Sequence, residues 1–387
     1  MRKSMLLVGA FLTVAAMAQA KEVVPAPVVV EEAPVQIVEK EVIVYRDKEE
    51  GFRPNGYVDL QYRYYGDTEG NGLGYKAGND GWNKNNNYSR IQLQGNINMT
   101  ENQSLEYRVR SYNSLDESEK AGSKSNGTET RLRYFYDHGY LGNSKINLTS
   151  RLHYQNDADT SNQTVEYQAR FDFADYMFDN NFVKTDYFVL APKYAYTWGD
   201  DNSSDYDNQL GIDLYSLHTL PWGFSTELNI YTFQHFYGAD RYFEGLDKKE
   251  DTNFTVDVEW YLYNTTNLYT NGNFSIDFGF EGGLEAYGAY QQYGSSGTPV
   301  HNGKYEEEYG NSLTPEEKVE PYGVGEGDSE YQLYVLPYVQ ANYSVSEDMV
   351  VYVAAGAEYR NWAITNSKSA SNWRWQPTAW AGFKATF

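Results

Sequence analysis

Cysteine is absent from this chain of 387 residues, so no disulfide stabilises it and no thiolate serves as a nucleophile or a metal ligand. After the first twenty residues there is no long apolar run, which excludes a membrane-spanning helix in the remainder. The H-E-x-x-H zinc motif, the G-x-S-x-G elbow and glycine-rich phosphate loops are missing as well. Of five scattered histidines, His235 near Asp240 comes closest to an acid–base pair. The sequence predicts no catalytic residues, no metal site and no cofactor.

Basic residues are also scarce, with 31 Lys and Arg against 54 Asp and Glu and a formal net charge of −23. Phosphate backbones are bound by basic patches, so nucleic acid is not expected as a partner. Aromatic residues, by contrast, are abundant: 38 Tyr, 18 Phe and 8 Trp in a chain of mean hydropathy −0.69. This composition fits strands that alternate between lipid and water, and it fits a tyrosine-rich soluble β-protein almost as well.

The amino terminus, residues 1–20, has the features of a secretory signal peptide. Arg2 and Lys3 precede an apolar run, and A-Q-A precedes an expected cleavage between Ala20 and Lys21. An N-terminal membrane anchor is the alternative, but the run is shorter than the ~20 residues that span a bilayer. Residues 21–53, rich in Pro, Val and Glu, are expected to form a periplasmic extension. It would act as a wall tether, a plug for the lumen or a flexible linker.

The carboxyl-terminal segment W-R-W-Q-P-T-A-W-A-G-F-K-A-T-F alternates apolar and polar residues and ends on Phe387. This is strand periodicity. A soluble sheet seldom leaves so long an apolar strand at an open edge, whereas a closed membrane barrel pairs it with the first strand and turns its apolar face to lipid. A terminal strand ending in Phe is similar to the assembly signal of bacterial outer-membrane barrels. We therefore predict an all-β transmembrane antiparallel β-barrel over residues 54–387, in the bacterial outer membrane.

Fourteen alternating segments can be counted, at 55–66, 87–99, 103–114, 128–138, 145–156, 163–176, 186–198, 208–220, 224–237, 252–263, 273–291, 330–343, 349–362 and 373–387. Each has at least the ~9–11 residues of a tilted membrane strand. Short connections, such as 264–272, alternate with longer polar ones, the pattern of short periplasmic turns and long extracellular loops. Sixteen strands is the alternative if the longest loop, residues 292–329, contains a hairpin. That acidic loop either constricts the pore or lies at the surface, and loose binding of divalent cations by its carboxylates is a further possibility.

The polar parity of these segments predicts which charges face the barrel interior. The first six segments send in eight arginines, together with five acids at 59, 106, 129, 166 and 172. We call these arginines the basic wall: Arg63, Arg90, Arg108, Arg110, Arg131, Arg133, Arg151 and Arg170. Segments eight to eleven send in only acids, here called the acidic wall: Asp213, Glu227, Asp257, Glu259, Asp277, Glu281 and Glu285. Two opposed walls of opposite charge would line a water-filled pore and set its ion preference. Alternatively, these charges form ion pairs between neighbouring strands and have a structural role, which is compatible with a role in lining the pore.

Several of these segments together resemble the fusobacterial major outer-membrane porin family, the FomA type. The resemblance is carried by V-I-V-Y-R-D at 42–47, R-P-N-G-Y-V-D-L-Q-Y-R-Y-Y-G at 53–66, R-L-R-Y-F-Y at 131–136, F-D-F-A-D-Y at 171–176, A-A-G-A-E-Y-R-N at 354–361 and W-R-W-Q-P-T-A at 373–379. It implies a homotrimeric pore for passive diffusion of small hydrophilic solutes and ions, with adhesion to other cell surfaces. Two hypotheses of function follow: a porin, or an adhesin whose barrel presents surface loops.

Overall fold

The structure is a computed structural model, and it describes residues 51–69, 87–115, 127–157, 162–199, 206–242, 249–290, 331–362 and 372–387. The predicted signal peptide, nearly all of the predicted extension and the loop 292–329 lie outside these ranges. Within the ranges, no helix has the length and apolar character needed to cross a membrane. Residues from Pro54 to Phe387 belong to one compact unit.

Fourteen strands make up that unit, each antiparallel to the strands before and after it. They are β1 (Asn55–Tyr65), β2 (Tyr88–Thr100), β3 (Gln103–Ser114), β4 (Gly127–Tyr140), β5 (Asn147–Asn156), β6 (Gln163–Asp172), β7 (Lys184–Trp198), β8 (Tyr206–Thr219), β9 (Phe224–Tyr242), β10 (Lys249–Asn271), β11 (Phe274–Tyr290), β12 (Tyr331–Ser346), β13 (Met349–Trp362) and β14 (Asn372–Thr386). The order β1 to β14 closes on itself as a barrel, so the predicted fold is confirmed. Because β11 pairs directly with β12, the alternative of sixteen strands is wrong.

Side chains alternate between the two faces of the wall as a period of two requires. In β1, Asp59 and Gln61 point inward and are buried, whereas Leu60 and Tyr62 point outward and are exposed. Among the described residues, buried polar and charged side chains outnumber buried apolar ones, so the interior is polar. Large apolar side chains cover the outside, as a lipid-facing barrel requires; examples are Ile91, Leu93, Leu132, Leu152, Val165, Leu190, Leu210, Ile212, Phe254, Val339 and Val353. The outward aromatic residues include Tyr64, Tyr194, Tyr196, Trp260, Trp373 and Trp375.

Closure of the ring depends on the two terminal strands. The register of β1 and β14 places Leu60 opposite Phe383 and Arg63 opposite Trp380. Beyond this register, the Gly56 amide donates to the Phe387 carbonyl at 3.0 Å, and the Phe387 amide donates back at 3.1 Å. The pairing therefore continues to the last residue of the chain and leaves β1 and β14 without an open edge.

The described connections at one end of the barrel range from two residues, as between β10 and β11, to eleven residues between β6 and β7. Two of them contain 3₁₀ turns, at Ala174–Tyr176 and Pro221–Gly223. The expected connection at 264–272 is wrong, because β10 continues to Asn271 and turns only at Gly272, whose φ of 58° suits a residue without a Cβ. Asn264 and the residues after it pair with β11, and the register shifts between Asn267 and Tyr269. A β-bulge at this point keeps the chain extended, although its sequence resembles that of a turn.

Candidate functional site: the charged inner face of the barrel

Register brings inward arginines of adjacent strands opposite one another. Arg63 of β1 lies opposite Arg90 of β2, and Arg108 of β3 lies opposite Arg131 of β4. Like charges in such positions repel each other. The inner face therefore requires carboxylates or aromatic rings among the guanidinium groups of the basic wall.

Glu129 of β4 supplies such a carboxylate. Its Oε1 lies 3.4 Å from Arg108 Nη2 and 3.4 Å from Arg110 Nη1, and all three side chains are buried. Arg110 also donates through Nε to Gln92 Oε1 at 2.5 Å. This group joins β2, β3 and β4 through charge-assisted hydrogen bonds, which are stronger than neutral ones.

A second group joins β5 and β6. Arg151 Nη2 donates to Glu166 Oε1 at 2.6 Å, and His153 Nδ1 lies 3.6 Å from the same oxygen. Arg133 Nη1 lies 3.9 Å from Glu106 Oε2 and is more accessible than the other pairs. Ion pairs between neighbouring strands thus compensate part of the positive charge of the basic wall.

Aromatic rings accompany three further arginines of the basic wall. The Arg63 guanidinium carbon lies 4.6 Å from the Trp380 ring centre and 4.7 Å from that of Tyr65, while Arg170 lies 4.4 Å from Tyr215. Arg90 lies 5.8 Å from Tyr65 and is buried. These distances are those of cation–π contacts.

The acidic wall has a different set of partners. Asp213 forms an ion pair with Lys193 of β7, with Nζ 2.6 Å from Oδ1. Asp277 accepts hydrogen bonds from the amides of Asn267 at 2.8 Å and Asn342 at 2.6 Å. Asp257 lies in β10, and Glu285 lies in β11 with its side chain outside the described part of the chain.

The other three carboxylates of the acidic wall accept hydrogen bonds from neutral donors. Tyr263 Oη donates to Glu227 Oε2 at 3.0 Å, and Asn229 Nδ2 donates to Glu227 Oε1 at 2.8 Å. Tyr231 Oη of β9 donates to Glu259 of β10 at 3.3 Å. Tyr334 Oη donates to Glu281 at 2.7 Å. The tyrosines that make the chain so aromatic thus also line its interior.

Some charged residues of the inner face lie outside the two predicted walls, which cover segments one to six and eight to eleven. Lys193 of β7 is one, and the Arg360–Glu358 pair of β13, with Nε 2.5 Å from Oε1, is another. Parity applied to β7 and β13 would have found them.

His235 has other partners than the expected Asp240. Its Nδ1 lies 2.7 Å from Asp207 Oδ2, and its Nε2 lies 3.1 Å from Thr255 Oγ1. The ring stacks between Phe233 and Tyr237, at centroid distances of 5.7 and 5.5 Å. These contacts fix the imidazole on three strands.

No protein-family model and no curated protein matches the chain. Among solved structures, the outer membrane channel DcaP of Acinetobacter baumannii is 10% identical, with a TM-score of 0.37 over 87% of this chain and 96% of that chain. An anion-selective porin from Comamonas acidovorans is 8% identical, with a TM-score of 0.33 over 87% and 99%. OmpF of Salmonella typhi, in complex with daunomycin, is 11% identical, with a TM-score of 0.33 over 87% and 98%. At these values the similarity concerns the barrel fold alone.

Proposed function

We propose that this protein is an outer-membrane porin, a water-filled channel for passive diffusion of small hydrophilic solutes and ions. The observation that carries the proposal is the segregation of charge, with the arginines of the basic wall on the inner face and an apolar belt outside. One Arg or Lys facing lipid near the midplane costs about 2–4 kcal/mol. The inward pair Arg133 and Glu106 keeps 17% and 36% of its side-chain surface accessible, which supports an interior that holds water.

The two walls stand on opposite sides of the ring. In the order β1 to β14, strands β2–β5 lie across from β9–β12, so arginines face a surface of carboxylates and tyrosines. The ion pairs of the basic wall reduce this separation of charge. Within the described residues, Glu227, Glu259 and Glu281 of the acidic wall have hydrogen bonds from tyrosines in place of such ion pairs. We infer a field across the lumen that orients polar solutes and favours cations near the acidic wall.

The proposal extends to location and partners. The signal peptide predicted at residues 1–20 supports export, the apolar outer face supports contact with outer-membrane lipid, and the sequence resemblance supports the fusobacterial porin family and a homotrimer. Chemical cross-linking of the purified protein in detergent tests the assembly. A ladder ending at three subunits supports the trimer, and a single band contradicts it.

Planar-bilayer recording in a salt gradient tests the channel, because it reports conductance and ion preference together. We expect step-like openings with a preference for cations. The variant Asp257→Asn/Glu259→Gln/Asp277→Asn/Glu281→Gln should shift the reversal potential toward zero, and Arg133→Gln/Arg170→Gln should shift it the opposite way. An unchanged reversal potential in the first variant removes these carboxylates from selectivity. A stable but silent barrel contradicts the porin and favours the adhesin scaffold.

A further inference from the structure

Three carboxylates and three tyrosines of strands β9 to β12 come together on the inner face. We call them the tyrosine–carboxylate cluster: Glu227, Glu259, Glu281, Tyr261, Tyr263 and Tyr334. Register explains the grouping, since Tyr261 lies opposite Glu227 on one side and opposite Gly283 on the other. Tyr263 lies opposite Glu281, and Gly283 lies opposite Tyr334. Gly283 places no side chain between the rings of Tyr261 and Tyr334.

The carboxylates of this cluster differ from Glu129 and Glu166 in having no cation beside them. All three are buried, and within the described residues no Lys or Arg nitrogen lies within 4.0 Å of any of them. Arginines of other strands interact with Glu227 and Glu281 at longer range. Glu259 instead experiences the repulsion of Glu227 and Asp257. Buried charge without a close counter-charge is costly, so a cation at this place would stabilise the cluster.

Tyr261 provides a second, independent sign of a ligand. Its side chain is 1% exposed, and its phenolic oxygen is buried with no partner of hydrogen-bond geometry among the described residues. It interacts electrostatically with Glu259, Glu227 and Glu281. Its ring stacks on Tyr263 at a centroid distance of 6.0 Å. The cluster thus presents a buried phenolic oxygen and an aromatic surface beside three carboxyl groups.

The spacing of the carboxylates indicates the kind of cation. Among the described residues, no three His, Cys, Asp or Glu side chains are placed to hold one metal ion. Glu227 on β9 and Glu281 on β11 are two strand spacings apart and offset by two residues along the strands, so their backbone positions are roughly 12 Å apart. That distance suits two cationic groups joined by an apolar chain, and aromatic faces attract organic cations. We propose that the tyrosine–carboxylate cluster binds linear aliphatic diamines, with an ammonium group at each end and the alkyl chain along the tyrosines.

This proposal rests on the proposed channel function, because a diamine reaches the inner face only through the lumen. Binding and conduction are therefore measured in separate experiments. Isothermal titration calorimetry on the full-length protein in detergent micelles uses 1,5-diaminopentane, pentylamine and 1,5-pentanediol. We expect the diamine to bind about tenfold more tightly than the monoamine, a difference of about 1.4 kcal/mol, and the diol not to bind. Equal affinity for the diamine and the monoamine would overturn the proposal, because simple charge attraction would account for it.

Variants locate the site. Glu259→Gln, Glu281→Gln and Tyr261→Phe should each weaken diamine binding about tenfold. Glu101→Gln, an exposed carboxylate in the turn after β2, is the matched control for loss of one negative charge and should bind normally. Equal weakening by Glu101→Gln, or no weakening by Glu259→Gln, would overturn the assignment.

Bilayer recording then separates the two proposals. Diamine binding by a silent barrel would support the cluster and contradict the channel. Normal currents with no heat of diamine binding would support the channel and contradict the cluster. Currents reduced by the diamine in the wild type and in Glu101→Gln, but not in Glu259→Gln, are the result expected if both hold.

Discussion

Lys193 of β7 and Asp213 of β8 form an ion pair inside the barrel, with Nζ 2.6 Å from Oδ1 and side chains only 0% and 1% exposed. The other carboxylate oxygen accepts hydrogen bonds from Gln168 Nε2 at 2.9 Å and Tyr215 Oη at 2.9 Å. The ammonium group also lies 3.2 Å from the ring centre of Phe233. Each charge has thus lost its water and depends on the other.

Asp213→Asn leaves the Lys193 ammonium buried without its counter-charge. Removal of one partner of a buried pair typically costs 3–5 kcal/mol, so we expect a decrease of about that size in the free energy of unfolding. Urea titration of the barrel in lipid vesicles, followed by tryptophan fluorescence, measures it. The double variant Lys193→Met/Asp213→Leu should lose less than Asp213→Asn. A single variant as stable as the wild type would show that water reaches the pair.

The ring of Tyr338 in β12 lies over Gly279 of β11, and a Cβ at Gly279 would overlap the ring carbon Cζ. Gly279→Ala should therefore displace the ring and destabilise the barrel by about 1–3 kcal/mol, as overpacking usually does. The same urea titration measures the loss. Tyr338→Ala removes the ring that the new methyl group would overlap. In a Tyr338→Ala background, Gly279→Ala should therefore lower the free energy of unfolding by less than it does in the wild type. An equal decrease in both backgrounds would show that the strain arises in the backbone rather than from the ring.

Val353 tests whether the outer face meets lipid. Its side chain is 57% exposed on the outside of β13. In a lipid bilayer, Val353→Arg should lower the free energy of unfolding by about 2–4 kcal/mol. On a water-facing surface such a change would stay within about 0.5 kcal/mol. Val353→Leu is the apolar control and should be near neutral. An arginine variant as stable as the leucine variant in vesicles would contradict a membrane-spanning barrel.

A substitution at Phe387 distinguishes the folding of the barrel from its assembly in the membrane of the cell. Its side chain is 60% exposed, and the bonds that close the barrel there come from its backbone. Phe387→Ala should therefore refold in detergent with wild-type stability, measured by heat-modifiable migration on gels. If Phe387 is the assembly signal that the sequence predicts, the same variant should accumulate less in the outer membrane of cells. Equal amounts of the two proteins in membranes would remove that role from the side chain.

Much of the fold was predictable because a barrel wall repeats one simple pattern. Segment 103–114 coincides with β3, Gln103–Ser114, since turn residues bound it on both sides and its central residues 105–110 alternate strictly between apolar and charged. The prediction failed at 264–272, where Asn and Thr are frequent. There the partner strand β11, rather than local preference, keeps the chain extended.

The candidate site was predictable only in part. Parity shows which face Arg108 and Glu129 occupy, but the contact between them depends on the register of β3 and β4. In the same way, the partner of His235 follows from the pairing of β8 and β9, which brings Asp207 near it in place of its sequence neighbour Asp240. The register of two strands is fixed by the geometry of the turns and by closure of the whole ring. It therefore cannot be predicted from the sequence of a single segment.

The bonds between Gly56 and Phe387 join residues from opposite ends of the barrel sequence. During synthesis β1 emerges long before β14, and until the last strand arrives one side of β1 has unpaired amides and carbonyls. A strand with an open edge of this kind readily pairs with other chains. The bonds at Phe387 therefore do more than hold the ring together, because they remove the edge through which incomplete barrels would aggregate.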